Sequence, residues 1–293
     1  MENVIEIESL RKTYKDFILK NVSFAVPKGY ITGLIGPNGA GKTTIIKLIM
    51  DLIRRDEGTI KVFGLDNKKH EVEVKERIGF VYDTPYFYED QDLLTLMRSI
   101  GPFYSRWNEK QFLSLLDRFG LSRKKKFGSL SKGMKTKFSL ALALSHDADL
   151  IIMDEPTTGL DPLFRREFLE MLSEIMQSEE KAVLFSTHIT SDLDKVADYV
   201  ILIEDGELRC SLWKDELQEK WGIVKAREDF ITSDNKHLFK GWRKHQHGFE
   251  ALTSDVPTVR QLLTSEILIE KPTLEDLIFF MHKGGNNAQT PRK

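Results

Sequence analysis

Tyr30-Ile31-Thr32-Gly33-Leu34-Ile35-Gly36-Pro37-Asn38-Gly39-Ala40-Gly41-Lys42-Thr43-Thr44-Ile45-Ile46 carries three structural signals in one unbroken run. Residues 30–35 are short and apolar, as expected of a buried parallel strand. Residues 36–43 match a glycine, four free positions, then glycine, lysine and threonine, which is the pattern of a phosphate loop. Residues 44–53 then place Ile45, Ile46, Ile49 and Ile53 on one side of a helix. Strand, glycine loop and helix in this order open an α/β sheet. In such a loop the glycines let backbone N–H groups close around phosphate oxygens, and the helix directs its positive end at the same anion. Gly36, Asn38, Gly39, Ala40, Gly41 and Thr44 would form the cradle. Lys42 would bridge the β- and γ-phosphates, and the Thr43 hydroxyl would ligate Mg²⁺. A plain glycine turn is the alternative, and the flanking strand and helix argue against it.

Upstream, Val4, Ile5, Ile7 and Leu10 begin a strand region, and residues 17–26 read as a strand pair broken at Asn21. Downstream, residues 86–146 are helical and rich in aromatics. There Asn108 and Gln111 form a capping-box pattern, and Phe112, Leu115, Leu116 and Phe119 share one face before Gly120. Strands are expected at 150–153 and 183–186, a helix from Pro162 to about Gln177, and a hairpin of 200–203 and 207–210 around Asp205-Gly206. Beyond 214 the pattern weakens. Strands are expected at 223–227, near 237–242 and at 267–269, and short helices at 257–263 and 273–282, the latter capped by Thr273 and Asp276.

The second chemical signal is Leu150-Ile151-Ile152-Met153-Asp154-Glu155, four apolar residues ending in two carboxylates. Asp154 at the end of a buried strand suits the metal side of a phosphate loop, and Glu155 suits a general base for water. Alone, this run is better read as a strand emerging into solvent. The guanine-reading pattern is missing, because Asn67-Lys68-Lys69-His70 lacks its aspartate.

Asp154 to Asp161 resembles the Walker B and D-loop run of ATP-binding-cassette ATPases. Leu130-Ser131-Lys132-Gly133-Met134 resembles their signature motif, Ser186-Thr187-His188 their switch histidine, and Tyr14 the aromatic that stacks on adenine. The resemblance covers roughly Glu2 to Leu212. It implies an α/β fold: a phosphate-loop core with a mixed sheet and flanking helices, an inserted helical subdomain near 86–146, and a small C-terminal α/β accessory domain. The implied boundaries are 1–214 for the cassette, 215–283 for the accessory domain and 284–293 for a disordered tail. ATP and Mg²⁺ are the implied cofactors, with Ser131, Gly133 and Asp161 reaching a nucleotide across a dimer and His188 donating to the γ-phosphate. Ser131 and Asp161 are equally good helix N-caps. The implied partners are a second ATPase subunit, with a homodimer allowed, and a separate transmembrane permease, which places the chain on the cytoplasmic side of a bacterial cell membrane. The overall style is similar to type-2 exporter ATPases for antimicrobial or phenol-soluble-modulin peptides.

Two departures stand out. Lys132 and Met134 replace the usual second glycine and terminal glutamine of the signature, and Asp83 falls at the Q-loop glutamine position. A carboxylate at 83 is expected to act as a harder Mg²⁺ ligand, the alternative being a solvated loop residue. Tyr86, Phe87, Tyr88, Phe103, Tyr104 and Trp107 are candidates for docking the membrane partner and equally for packing. Arg123-Lys124-Lys125-Lys126 reads as a solvated loop, and His237, His245 and His247 as surface histidines.

Composition agrees with this reading. Of 293 residues, 41% are hydrophobic and 30% charged, and 43 Lys plus Arg face 45 Asp plus Glu. A net charge of -2 gives no electrostatic reason for nucleic acid. No apolar run approaches the roughly 18 residues of a spanning helix. The N-terminus lacks a basic-then-apolar secretory plan, and a lone Cys210 fits a reducing compartment. The reading from another class is a soluble cassette ATPase acting on ribosomes or DNA; those usually carry two cassettes or a long coiled coil between the Walker motifs, and neither is present here.

Overall fold

The computed structural model describes residues 2–177, 179–226, 231, 235–245, 248–262 and 267–282. Strands β1 (Asn3–Thr13) and β2 (Ile18–Pro27) pair antiparallel, and β3 (Ile31–Ile35) leads through the glycine loop into α1 (Lys42–Ile49). β4 (Glu57–Val62), β5 (Leu65–Asp66) and α2 (Glu71–Glu76) precede β6 (Ile78–Val81). The helical segment holds α3 (Leu93–Ile100), α4 (Glu109–Arg118) and α5 (Lys132–Leu144). Then come β7 (Leu150–Asp154), α6 (Pro162–Ile175), β8 (Ala182–Thr187), α7 (Thr190–Val196), β9 (Tyr199–Glu204) and β10 (Glu207–Trp213). The C-terminal part comprises α8 (Lys214–Lys220), β11 (Gly222–Ala226), β12 (Phe239–His245), β13 (Gly248–Thr253), α9 (Val256–Leu262), β14 (Leu268–Glu270) and α10 (Leu274–Met281).

The central sheet runs β10-β9-β3-β8-β7-β6, parallel except for the antiparallel edge strand β10. Every residue of β3, β7 and β8 is buried, which explains their continuous apolar character: layers on both faces leave no solvent side. One face packs against the antiparallel sheet β2-β1-β4-β5 and α1, through Ile5, Leu10, Ile45, Ile46, Leu34 and Ile152. The other packs against the helical segment and α6, through Phe112, Phe138, Phe168 and Phe185. This is the α/β core with an inserted helical segment that the sequence predicts.

Local details depart from expectation in instructive ways. Asn21 does not break a strand pair: β2 runs continuously past it, with Asn21 at φ 53 and shifts of register against β1. An asparagine tolerates that left-handed geometry, so the irregularity is absorbed as a bulge. Helix α1 stops before Ile53, because Asp51 adopts φ 47 and turns the chain away. Asn108 caps α4 through the Gln111 amide at 3.0 Å, and both capping-box bonds form at Thr273 and Asp276. Asp205 (φ 49) and Gly206 (φ 73) make the tight turn of the β9–β10 hairpin. Strand β13, the interior neighbour of both β11 and β12, is absent from the sequence reading. Ala251, Leu252 and Thr253 are all buried, so no alternation marks it.

The C-terminal sheet, β12-β13-β11-β14, has a small core of Val224, Phe239, Phe249, Ala251 and Val259. It does not stand apart. Leu274, Leu277 and Phe280 of α10 belong to the main core with Leu193 of α7, and His282 pairs with the buried Glu204 of β9. His247 and residues 284–293 lie outside the described residues.

Candidate functional site

The loop after β3 is shaped by its glycines. Gly36 lies at φ 153, and a Cβ there would sit 2.1 Å from the Ile203 carbonyl oxygen. Gly41 caps α1 at φ 112, a left-handed position that a side chain would strain. The first amides of α1 therefore point into the loop without intrahelical acceptors, as helix starts require. Lys42 is buried at 6% exposure, and its ammonium donates to the carbonyls of Gly36 at 2.9 Å and Pro37 at 3.2 Å.

β7 delivers the two carboxylates side by side, and they differ sharply. Asp154 is completely buried; one oxygen accepts from Ser186 Oγ at 2.6 Å, and the other has no hydrogen-bond partner. Burial pushes its carboxyl above the usual carboxylate range, against the lowering effect of the Ser186 and Thr43 hydroxyls. An orphaned oxygen on a carboxyl that also feels the Thr43 hydroxyl suits a hard cation or its water, so the donor set fits Mg²⁺. Glu155 turns outward at φ 49, held by its N–H donating to Ser186 O and Ser186 Oγ, each at 3.1 Å. A non-glycine residue in that region is strained, and such strain gathers at functional sites. The Glu155 carboxylate meets His188 Nδ1 at 2.7 Å, accepts from Thr158 Oγ1 at 3.2 Å, and lies 3.5 Å from Lys42 Nζ.

A cleft of about 850 Å³ opens above these groups. Of the predicted residues, Tyr14, Asn38, Gly39, Gly41, Lys42, Thr43, Thr44, Asp83, Glu155 and His188 line it. Gly36, Ala40 and Asp154 are not part of its lining, Ala40 and Asp154 being buried. Ser131, Gly133 and Asp161 are outside the lining. Ser131 caps α5 through the Met134 amide at 3.3 Å, and Asp161 caps α6 through Phe164 N at 2.9 Å. Tyr14 is 43% exposed at the far end, its N–H donating to Phe17 O at 2.7 Å across a tight turn.

The sequence reading misses Asp16, Phe17, Lys47 and Thr158, which also line the cleft, as does Lys132, which stands out in the sequence as a charge at a helix start. Lys47 sits one helical turn beyond Thr43 and Thr44, a spacing that could have found it. The partner of Lys132 could not be found that way, because it depends on how the helical segment packs. The Lys132 ammonium meets Asp83 Oδ1 at 2.7 Å. Ser186 is missed as well; it reaches Asp154 through the parallel register that sets the two residues opposite each other.

Among the aromatics, Phe87 packs on Phe127 and Phe138, with ring centroids 5.1 and 5.5 Å apart, and Tyr104 stacks on His146 at 3.9 Å. Tyr86, Tyr88 and Phe103 are instead 85%, 79% and 80% exposed. Among the described residues no helix is long and apolar enough to cross a membrane.

Residues 19–158 match the ABC transporter family. An uncharacterized ABC transporter ATP-binding protein of Bacillus subtilis, YxlF, is 33% identical over 94% of this chain and 91% of its own length. The bacitracin transport ATP-binding protein BcrA of Enterococcus faecalis is 34% identical over 80% of this chain and 77% of its own. A solved ATP binding subunit of an ABC transporter superposes with a TM-score of 0.67 at 28% identity, over 73% of this chain and 92% of that one. Likeness sustained along nearly the whole length, on a phosphate-loop core of this geometry, means that the chain belongs to the ABC transporter family, as an ATP-binding subunit with ATPase activity.

Proposed function

We propose that this chain is the energising subunit of an ABC exporter: two copies close around two MgATP and drive a separate transmembrane subunit. The observation that carries the hydrolytic part is the Glu155 cluster, with its carboxylate bonded to His188 and Thr158 and 3.5 Å from Lys42. In this reading Glu155 takes the proton from the attacking water, and His188 holds Glu155 in place and donates toward the γ-phosphate. Lys42 and the first amides of α1 bind the β- and γ-phosphates, and Tyr14 stacks on the base. Thr43 and Asp154 hold Mg²⁺, and Asp83 adds a third oxygen donor at the cleft. Bound Mg²⁺ supplies charge neutralisation across the phosphate oxygens.

The dimer is supported by Ser131 and Gly133, which sit at the start of a helix and do not line the chain's own cleft. In the closed pair those groups meet the partner's γ-phosphate, and Asp161 approaches from the loop beside them. Exposed Tyr86, Tyr88 and Phe103 support a docking surface for the transmembrane partner, which would hold the chain at the cytoplasmic face of the membrane. Similarity to a bacitracin transport ATP-binding protein supports a peptide cargo. Residues 215–283 act as an accessory unit seated on α7 through α10.

The test pairs Glu155→Gln with Lys42→Ala. Glu155→Gln should bind ATP and dimerise while losing at least about 100-fold in turnover, the usual weight of a general base. Lys42→Ala should weaken nucleotide binding itself. Turnover by Glu155→Gln close to that of the unaltered chain would refute the assignment, and failure to co-purify with a multi-span membrane protein would refute the transport role.

A further inference from the structure

Three lysines face the cleft: Lys42, Lys47 and Lys132. Lys42 is matched by Glu155, and Lys132 by Asp83, so both carboxylates are covered by an ammonium. Lys132 is an odd residue for its place. It is the first residue of α5, where the helix dipole disfavours a cation, and the first turn of that helix contains no acidic residue. Asp83, on the loop after β6, provides the compensating charge at 2.7 Å. The stem of Lys132 also lies along the loop after β7, its Cδ 3.5 Å from where a Cβ on Gly159 would stand. One side chain thus joins three loops that border the cleft, while its neighbours Ser131 and Gly133 face elsewhere.

We propose that Lys132 and Asp83 form an electrostatic clasp that sets how strongly nucleotide binding depends on the divalent cation. The proposal rests on the reading that this cleft takes MgATP. Asp83 can be neutralised by Lys132 or by a divalent cation near the phosphates, and its ion pair and a metal-bound role compete for the same carboxylate. With Lys132 in place, metal-free ATP enters a cleft in which Asp83 is already screened. Without Lys132, the bare carboxylate repels the phosphates unless a cation is present. Lys132 is therefore a positioning residue acting through Asp83.

The experiment titrates a fluorescent trinitrophenyl-ATP onto the full chain in Mg²⁺ and in EDTA, and reads the ratio of the two dissociation constants. Lys132→Ala and Lys132→Gln should each raise that ratio by about three- to fivefold, through weaker binding in EDTA, the upper range for a partly exposed ion pair. Asp83→Asn should lower the ratio below that of the unaltered chain. The double variant should match Asp83→Asn alone, since nothing is left to screen. A ratio unchanged by either Lys132 substitution overturns the clasp. So does an equal loss in both buffers that persists with Asp83→Asn, which would mean direct contact between Lys132 and phosphate. If the unaltered chain binds no nucleotide in either buffer, the reading of the cleft itself fails.

Discussion

Ser186→Ala tests whether a hydroxyl on a neighbouring strand tunes the metal-side carboxylate. Ser186 Oγ donates to Asp154 Oδ1 at 2.6 Å in a completely buried setting, and it also accepts from Glu155 N at 3.1 Å. A hydrogen bond to a buried charged group is worth about 1.5–3 kcal/mol. Glu155 N keeps the Ser186 carbonyl, so most of the loss falls on Asp154. Taking about 2 kcal/mol, the Asp154 carboxyl, already raised by burial, should rise further once this hydrogen bond is gone. A raised carboxyl binds its proton more tightly, so the proton competes better with metal as pH falls. Loss of an outer-shell partner typically costs 10–100-fold in metal affinity. The Mg²⁺ concentration that half-saturates ATPase activity should therefore rise by about tenfold, and by more at pH 6 than at pH 8. Isothermal titration of Mg²⁺ into the ATP-loaded Glu155→Gln background checks binding apart from turnover. Equal Mg²⁺ requirements for Ser186→Ala and the unaltered chain at both pH values would refute the reasoning.

Gly36→Ala drives a Cβ to 2.1 Å from the Ile203 carbonyl oxygen, so the loop and β9 must part by about 1 Å. At about 2 kcal/mol the melting temperature should fall by roughly 3 °C by calorimetry, together with nucleotide binding; an unchanged melt would contradict the geometry. His146 is buried, with its ring nitrogens 3.2 and 3.1 Å from the Leu142 and Ile78 carbonyls, and burial lowers its pKa. Its contribution to stability is full above the unfolded pKa of about 6.5 and is lost as pH falls toward the folded value, by at most about 1.4 kcal/mol per pH unit. Urea midpoints of His146→Gln should accordingly fall less between pH 7.5 and 5.5 than those of the unaltered chain, and parallel losses would count against it. Burial pushes the Cys210 thiol up to about 12, so native protein should react with a maleimide-type reagent at pH 8 far more slowly than protein in denaturant.

The phosphate loop, the acidic end of β7 and the caps of α4, α5, α6 and α10 are legible because each is a short-range signal. Gly36 to Thr43 needs only its own glycines and the strand and helix on either side. Asn108, Ser131, Asp161 and Thr273 each bond an amide three residues away, so spacing alone reveals them. Strand β13 is hidden because burial on both sides erases its period. The end of α1 is hidden because a single left-handed residue, Asp51, decides it. The aromatics of the helical segment could not be divided into packed Phe87 and Tyr104 and exposed Tyr86, Tyr88 and Phe103, since adjacent residues of like chemistry carry no label for the side they face.

By itself the amino-acid sequence determined which groups are present and their local geometry: a loop that cradles phosphate, two carboxylates at a strand end, a histidine after the next strand. Only the tertiary structure decided which of them meet. Parallel register sets Ser186 opposite Asp154, Glu155 turns into a strained conformation that faces His188 and Lys42, and packing of the helical segment swings Lys132 onto Asp83. Each of those contacts joins residues far apart in the chain. Their geometry follows from strand order and core packing, which propensity and spacing along the chain do not encode.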